Sequence, residues 1–453
     1  MSQAAVTSAS LGDFDVTSTI NYIDNRVRSE LFSERISTDN LGQTDISLKA
    51  DASSNPIDFK KAYVRIVGNV TGSDNGKIAA MKANVVITPF AFFNMFDSAT
   101  LKLNGQIIET ITDFAMAEQI LAIMSRSSYE LNNGTIEEGS AFTIPLDTNQ
   151  VTAAVGTYSV AARSHLVGAL SSTHAPFEMT FNLSDLFLSI RTMQAVYKRM
   201  NIEVIFKRKP SNLETVTGIR TTDAAGTTLA TLAGTEAAQN DTADTKFVLT
   251  QVSLVYSEYV LANTIEDDNN KQYEQDHIAL PYLSMQCALE PIQSSIFSKQ
   301  LGLTTSKFGN ECLMIAFTDK DQNKKKSQPL LLKELDLTKL EIKIGGNKLF
   351  DANDLSEGYK RLYEKFRMAK NLFISDQSQA ISHYQWLKQY PILAFDLNSF
   401  ANTDKLSGIQ NISVYLERSV STELNMYIYL VSDQAKAIKP STMTVVGDLN
   451  EKQ

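Results

Sequence analysis

Leu101-Lys102-Leu103-Asn104-Gly105-Gln106-Ile107-Ile108 and Ile342-Lys343-Ile344-Gly345-Gly346-Asn347-Lys348-Leu349 are two versions of one pattern, an alternating run that enters a tight turn and returns. A lysine stands between two aliphatic residues in each, so one face of the strand is buried and the other is wet. Working outward from this pair, the second half of the chain restates the first in the same order. Each turn is followed by a stripe at helical spacing: Phe114, Ala117, Leu121 and Met124 in one half, Leu355, Tyr359, Leu362 and Phe366 in the other. Asp113 and Asp354 precede the stripes as N-cap candidates. Phe181-Asn182-Leu183-Ser184 then matches Phe395-Asp396-Leu397-Asn398. Finally, Asn201-Ile202-Glu203-Val204-Ile205-Phe206-Lys207-Arg208 matches Asn411-Ile412-Ser413-Val414-Tyr415-Leu416-Glu417-Arg418. A single match between amphipathic strands arises by chance, whereas this ordered series, helix included, marks an internal duplication.

Further short runs rich in Val, Ile, Phe, Tyr and Thr, bounded by Asn, Asp, Gly and Ser, read as strands. They cover residues 62–67, 83–88, 177–181 and 247–260 in the first half and 278–283, 312–317, 392–395 and 426–431 in the second. The fold class is therefore all-β, two tandem β-sandwiches with short inserted helices. The expected layout is an N-terminal arm over 1–50, a first sandwich over 51–262, a polar, acidic linker over 263–276, a second sandwich over 277–435 and a tail over 436–453. Inside the first unit, residues 210–245 are dominated by Ala, Thr, Gly and Asp and read as a projecting loop, and 127–172 form a second excursion. In the arm, Ile20, Ile23, Val27 and Leu31 fall on one helical stripe. That stripe either docks on its own domain or reaches a neighbouring subunit or a membrane face.

A chain of 453 residues is too long for one small module, at about 150 residues per domain, and long enough to bury a core without staples. Its two cysteines, Cys287 and Cys312, sit inside apolar runs and read as small buried hydrophobes in a reducing compartment. Charged residues at 21% and hydrophobic ones at 43% fit a folded chain rather than a disordered one. A net charge of −9 and a pI near 5.2 argue against a protein that coats phosphate backbones, so no sequence-specific nucleic-acid partner is expected. No apolar run approaches the roughly 18 residues of a membrane span, and the first residues lack the pattern of a signal peptide.

The order of strand, Asn-Gly turn, helix, Phe181-Asn182-Leu183-Ser184 and Asn201 to Phe206 is joined in the second half by Tyr390-Pro391-Ile392-Leu393-Ala394-Phe395-Asp396-Leu397, Leu406-Ser407-Gly408-Ile409-Gln410-Asn411-Ile412 and Leu424-Asn425-Met426-Tyr427-Ile428-Tyr429-Leu430. In this order the chain resembles the double jelly-roll major capsid proteins of eukaryotic double-stranded DNA viruses, with the nearest likeness to polinton-like viruses, adintoviruses and virophages. The resemblance spans roughly residues 50–435 and lies in pattern order rather than in any diagnostic motif. It implies two tandem jelly rolls, a homotrimer that tiles an icosahedral shell around double-stranded DNA, and long loops turned outward. It also implies penton and minor capsid proteins as partners, an inner membrane as an optional one, and a place in the virion capsid after assembly in host cytoplasm or nucleus. The alternative from the residues themselves is a β-sandwich that binds a receptor or glycan through its loops, as a spike or minor capsid component.

Enzymatic readings find little support. The four histidines, His165, His174, His277 and His383, form no His-x-His or His-x-x-x-His pair, as a metal-dependent jelly-roll enzyme requires. His165 and His174 are close enough in sequence to meet, but loop histidines are ordinarily solvated. There is no Gly-x-Ser-x-Gly elbow, and Gly345-Gly346 is a turn without the Gly-Lys-Ser/Thr ending of a phosphate loop. Asp267 and Asp268 lie in the polar connector without a calcium-loop spacing, and Lys324-Lys325-Lys326 read as a solvated loop tip. Sequons at Asn69, Asn133, Asn240 and Asn411 have no use without a secretory route. No catalytic residue, cofactor or metal site is expected.

Overall fold

The computed structural model describes residues 24–31, 45–50, 57–71, 85–87, 93–127, 131, 177–192, 200–208, 219–221, 246–260, 278–306, 310–320, 332–355, 359–374, 381–398, 410–439 and 444–448. In the first half the strands are β1 (Asp24–Leu31), β2 (Asp45–Ala50), β3 (Ile57–Thr71), β4 (Val85–Ile87), β5 (Phe96–Leu103), β6 (Gln106–Thr112), β7 (Phe177–Asn182), β8 (Ile202–Arg208), β9 (Ile219–Thr221) and β10 (Lys246–Val260). Helices α1 (Phe114–Ser125), α2 (Leu183–Leu186) and α3 (Leu188–Thr192) interrupt them. The second half holds β11 (Ile278–Ile292), β12 (Ile296–Thr304), β13 (Asn310–Asp319), β14 (Leu337–Ile344), β15 (Asn347–Ala352), α4 (Lys360–Lys370), α5 (His383–Gln389), β16 (Leu393–Asp396), β17 (Asn411–Arg418), β18 (Leu424–Lys439) and β19 (Thr444–Asp448).

Two four-stranded antiparallel sheets, in the orders β1-β10-β3-β7 and β2-β8-β5-β6, form the first unit. The second repeats both orders as β11-β18-β13-β16 and β12-β17-β14-β15, with β19 added beside β18. Each unit is thus an eight-stranded jelly roll with its core between the sheets. The duplication holds to the residue. Leu101 pairs with Val204 as Ile342 pairs with Val414, and Leu103 with Ile202 as Ile344 with Ile412. β5 and β14 share one burial alternation, with Ala99, Leu101 and Leu103 inward in one and Leu340, Ile342 and Ile344 in the other. Phe181 and Phe395 lie on the equivalent strands β7 and β16.

The turns explain why these hairpins close. Asn104 and Gly105 have φ of 47° and 81°, Gly345 and Gly346 of 55° and 84°. Positive φ at both central residues marks the two-residue turn that matches strand twist, and Asn and Gly are the residues that tolerate it. Both turns bond to the next strand over: Asn104 N–H donates to Asn201 O, and Gly345 N–H to Asn411 O, each at 2.9 Å. Both hairpins also carry a one-residue bulge at the same place, leaving Ile108 and Leu349 without a direct partner.

Several expectations need correction. Asp24–Leu31 is an extended strand paired with β10, Val27 opposite Ser257 and Leu31 opposite Ser253, so the helical stripe fails over Val27 and Leu31. Tertiary pairing overrides the local period there; Ile20 and Ile23 lie outside the described residues. The arm expected over 1–50 supplies the first two strands of the first jelly roll, and the tail expected from residue 436 begins inside β18. Residues 85–87, expected in the sandwich, instead pair with 219–221 in a separate two-stranded ribbon. That pairing ties a short part of the 210–245 stretch to the segment between β3 and β5; the rest of 210–245, most of 127–172 and the 263–276 linker lie outside the described residues. Asp113 holds the N-cap position of α1 in a left-handed conformation but makes no side-chain cap bond. α4 starts at Lys360, behind a left-handed Tyr359, so the N-cap position belongs to Tyr359 rather than to Asp354, and Leu355 precedes the helix.

Leu101 and Ile342 are both fully buried at equivalent positions. Leu101→Ala and Ile342→Ala are each expected to cost about 2–5 kcal/mol, measured by urea unfolding. A cost of only a few tenths at either position would show that its strand does not face a packed core.

Candidate functional site: the seam between the two jelly rolls

Among the described residues β11 is an edge strand, paired on one side with β18. Amides along an antiparallel strand point alternately toward and away from the neighbour, so every second N–H of β11 leaves the sheet. Leu283 N–H donates to Thr192 Oγ1 at 2.9 Å and Met285 N–H to Glu109 Oε1 at 3.2 Å, both acceptors belonging to the first jelly roll. Pro281 and Pro291 fall on the same outward set, where a missing donor breaks no ladder bond. The second unit therefore closes its open edge with side chains of the first.

Glu109 is the centre of this seam. Its Oε2 accepts from Ser189 N at 2.9 Å and from Ser189 Oγ at 2.6 Å, while Oε1 takes the Met285 amide. Burial lifts its carboxyl to about 7, against the pull of these three donors, which favour the anion. Thr192 Oγ1 in turn donates to Leu188 O at 2.9 Å, which fixes its lone pairs toward β11. Cations cross the seam in both directions. The buried Lys370 ammonium donates to Ile123 O, to Met124 O at 3.2 Å and to Arg126 O at 2.6 Å, meeting carbonyls at the C-terminal end of α1. Arg191 Nη2 reaches Phe373 O, just past α4, at 3.3 Å, and Lys436 Nζ reaches Ile107 O at 2.9 Å.

The remaining sequence candidates do not converge. Among the described residues no three His, Cys, Asp or Glu side chains are grouped to hold a metal. His383 packs against Tyr363 and Trp386, with ring centroids 5.0 and 5.9 Å away, on a helix opened by the Ser382–Gln385 capping box; His165, His174 and His277 lie outside the described residues, as do Asp267, Asp268, Lys324, Lys325 and Lys326. Both thiols are free, and burial pushes Cys287 up to about 12, with Asp113 adding to the effect, and Cys312 higher still, which makes them poor nucleophiles. Of the sequons, Asn69 and Asn411 lie in strands; Asn133 and Asn240 are outside the described residues. A small cleft of about 30 Å³ beside the seam is lined by Phe93, Glu118, Arg126, Asp185 and Arg191, among others. No helix of the described residues is long and apolar enough to cross a membrane.

No protein-family model matches the chain, and no curated protein does. Solved structures do. A chain of the Sputnik virophage, known from cryo-EM, superposes with a TM-score of 0.62 at 9% identity, over 100% of this chain and 94% of that one. The mavirus major capsid protein gives 0.54 at 10% identity over 95% and 91%, and the Faustovirus major capsid protein 0.50 at 10% over 92% and 91%. At this identity the likeness is one of fold, and the fold is the double jelly roll, matched along nearly the whole length.

Glu109 gives the seam a pH dependence of definite sign. The folded carboxyl titrates near 7 and the unfolded one near 4.5, so the folded state holds an extra proton between those values. Stability then falls as pH rises through that window, by up to ~1.4 kcal/mol per pH unit, and levels off above it. Urea unfolding across this range is expected to show a stability difference between the wild type and Glu109→Gln that shrinks as pH rises from about 4.5 to 7; a difference that does not change with pH would remove Glu109 from the account. Lys370→Met, which removes the lysine donor from two buried carbonyls and one part-buried one, is expected to cost about 1.5–3 kcal/mol at neutral pH, and a neutral result would mean that α1 ends elsewhere.

Proposed function

We propose that this chain is a major capsid protein: it associates as a homotrimer, six jelly rolls to a pseudo-hexagonal tile, and the tiles close into an icosahedral shell around double-stranded DNA, without catalysis. The observation that carries this reading is the match along nearly the full length of both jelly rolls to chains from virus particles, two of them named as major capsid proteins. Association would come from many modest contacts between identical surfaces, made cooperative by closed symmetry. On this reading the repeating units run from Asp24 to Val260 and from Ile278 to Lys439, and the partners are further copies, penton and minor capsid proteins and, where one is present, an inner membrane. The place of action is the virion, after assembly inside the host cell.

The inter-subunit role of Ile20, Ile23, Val27 and Leu31 belongs to the same proposal. Among the described residues β1, which holds Val27 and Leu31, is the outermost strand of its sheet, and a sheet edge is where a neighbour's backbone can pair.

Size-exclusion chromatography with light scattering is expected to show a stable species of three times the 50.1 kDa chain. A monomer at all concentrations that binds on a glycan array would overturn the capsid reading in favour of a loop-mediated binding protein. Zinc, iron or manganese retained stoichiometrically by the purified chain, and lost on substituting any one histidine by Ala, would contradict the absence of metal chemistry.

A further inference from the structure

The helices α1 and α4 follow the equivalent hairpins β5–β6 and β14–β15 and have diverged. α1 carries no cation, and every residue from Phe114 to Met124 is buried. α4 reads Lys360-Arg361-Leu362-Tyr363-Glu364-Lys365-Phe366-Arg367-Met368-Ala369-Lys370. Five cations against one acid set α4 at +4, and with −9 for the whole chain everything else stands at −13. Leu362, Phe366, Ala369 and Lys370 are buried, whereas Lys360, Arg361, Glu364, Arg367 and Met368 are exposed and Lys365 is half-buried, so with Lys370 turned inward the outer face carries four cations and one acid, a net +3. Leu372, one turn on, and Tyr384 on α5 add exposed apolar surface at 40% and 63%.

Among the described residues no carboxylate pairs with Lys360, Arg361, Lys365 or Arg367; Arg361 lies 5.4 Å from the centroid of the Phe350 ring. The helix is held in this pose, because Lys370 and the Arg191–Phe373 bond fasten its end to the first jelly roll. Arg361, Arg367, Met368 and Tyr384 are of the residue types enriched in protein contacts, with Lys360, Glu364 and Lys365 as the charged surround. The surface is too apolar for a phosphate-coating face, and its cations fall short of the roughly six to ten phosphate contacts that give nucleic-acid binding its strength. We infer that the outer face of α4 docks on an acidic face of a second copy of this chain. The charge balance supports that occupant, since a copy is on balance strongly acidic away from its own α4.

The inference rests on the assembly reading, and sedimentation velocity of the full chain separates the two. The wild type is expected to self-associate at about 50 mM salt and less at about 500 mM. Arg361→Glu with Arg367→Glu should weaken association at low salt at least tenfold, while Arg361→Lys with Arg367→Lys keeps it, with both variants folded by circular dichroism. A wild type that stays monomeric overturns the assembly reading itself. An associating wild type matched by the Glu variant overturns only the role of α4. Loss of binding to phosphatidylserine vesicles or duplex DNA in the Glu variant, with self-association intact, would likewise overturn it and give the face to that polyanion.

Discussion

An edge strand has backbone amides that point out of its sheet, and in a packed interior each needs an acceptor. β11 is such a strand, and four of its outward positions are accounted for: the Met285 amide by Glu109, the Leu283 amide by Thr192, and Pro281 and Pro291, which have no amide to satisfy. Because two of the acceptors come from the first jelly roll, the second is not a bead on a string. Its sheet is completed by its neighbour, and the relative placement of the halves follows from hydrogen bonds whose loss would strand buried polar groups. Lys370 and Arg191 reinforce the arrangement, each half sending a cation to the end of the other half's inserted helix.

The duplication was legible because both copies kept the features that sequence displays most openly. Alternation survives in Leu101 and Leu103 and in Ile342 and Ile344, the turn chemistry in Asn104-Gly105 and Gly345-Gly346, and their order along the chain is unchanged. Helix starts were less legible. Tyr359 enters α4 through a left-handed conformation, held by a hydroxyl placed to donate to Leu335 O and Leu337 O, and no capping rule anticipates a tyrosine there. β1 was hidden because its residues carry a helical period while their actual partner, β10, lies more than two hundred residues away in sequence.

The seam was the part that sequence reading missed, although one signal existed. The aligned segments end at Ile108 and Leu349, and the next pair is Glu109 and Phe350, opposite Leu101 and Ile342 respectively. An acid in one copy where the other has a core aromatic marks a surface that only one copy buries against something polar. The same comparison sets Arg208 beside Arg418. Arg418 forms a two-point ion pair with Asp336, at 2.9 and 2.7 Å, just ahead of β14; Met95 stands at the matching place ahead of β5, and Arg208 Nε and Nη2 have no hydrogen-bond partner among the described residues. Divergence between duplicates is most informative where a charge survives and its partner does not.

The two free thiols occupy different layers of this construction. Cys287 lies half-buried on β11, within the strand that closes the seam, and Cys312 is fully buried on β13, between β16 and β18. Neither ionises readily in place, so a thiol reagent reacts faster with either one once the structure around it opens. The molecule thus carries two built-in clocks, one timing the parting of its halves and the other the opening of the second sandwich, and their ratio distinguishes a hinge from an unfolding event without any added label.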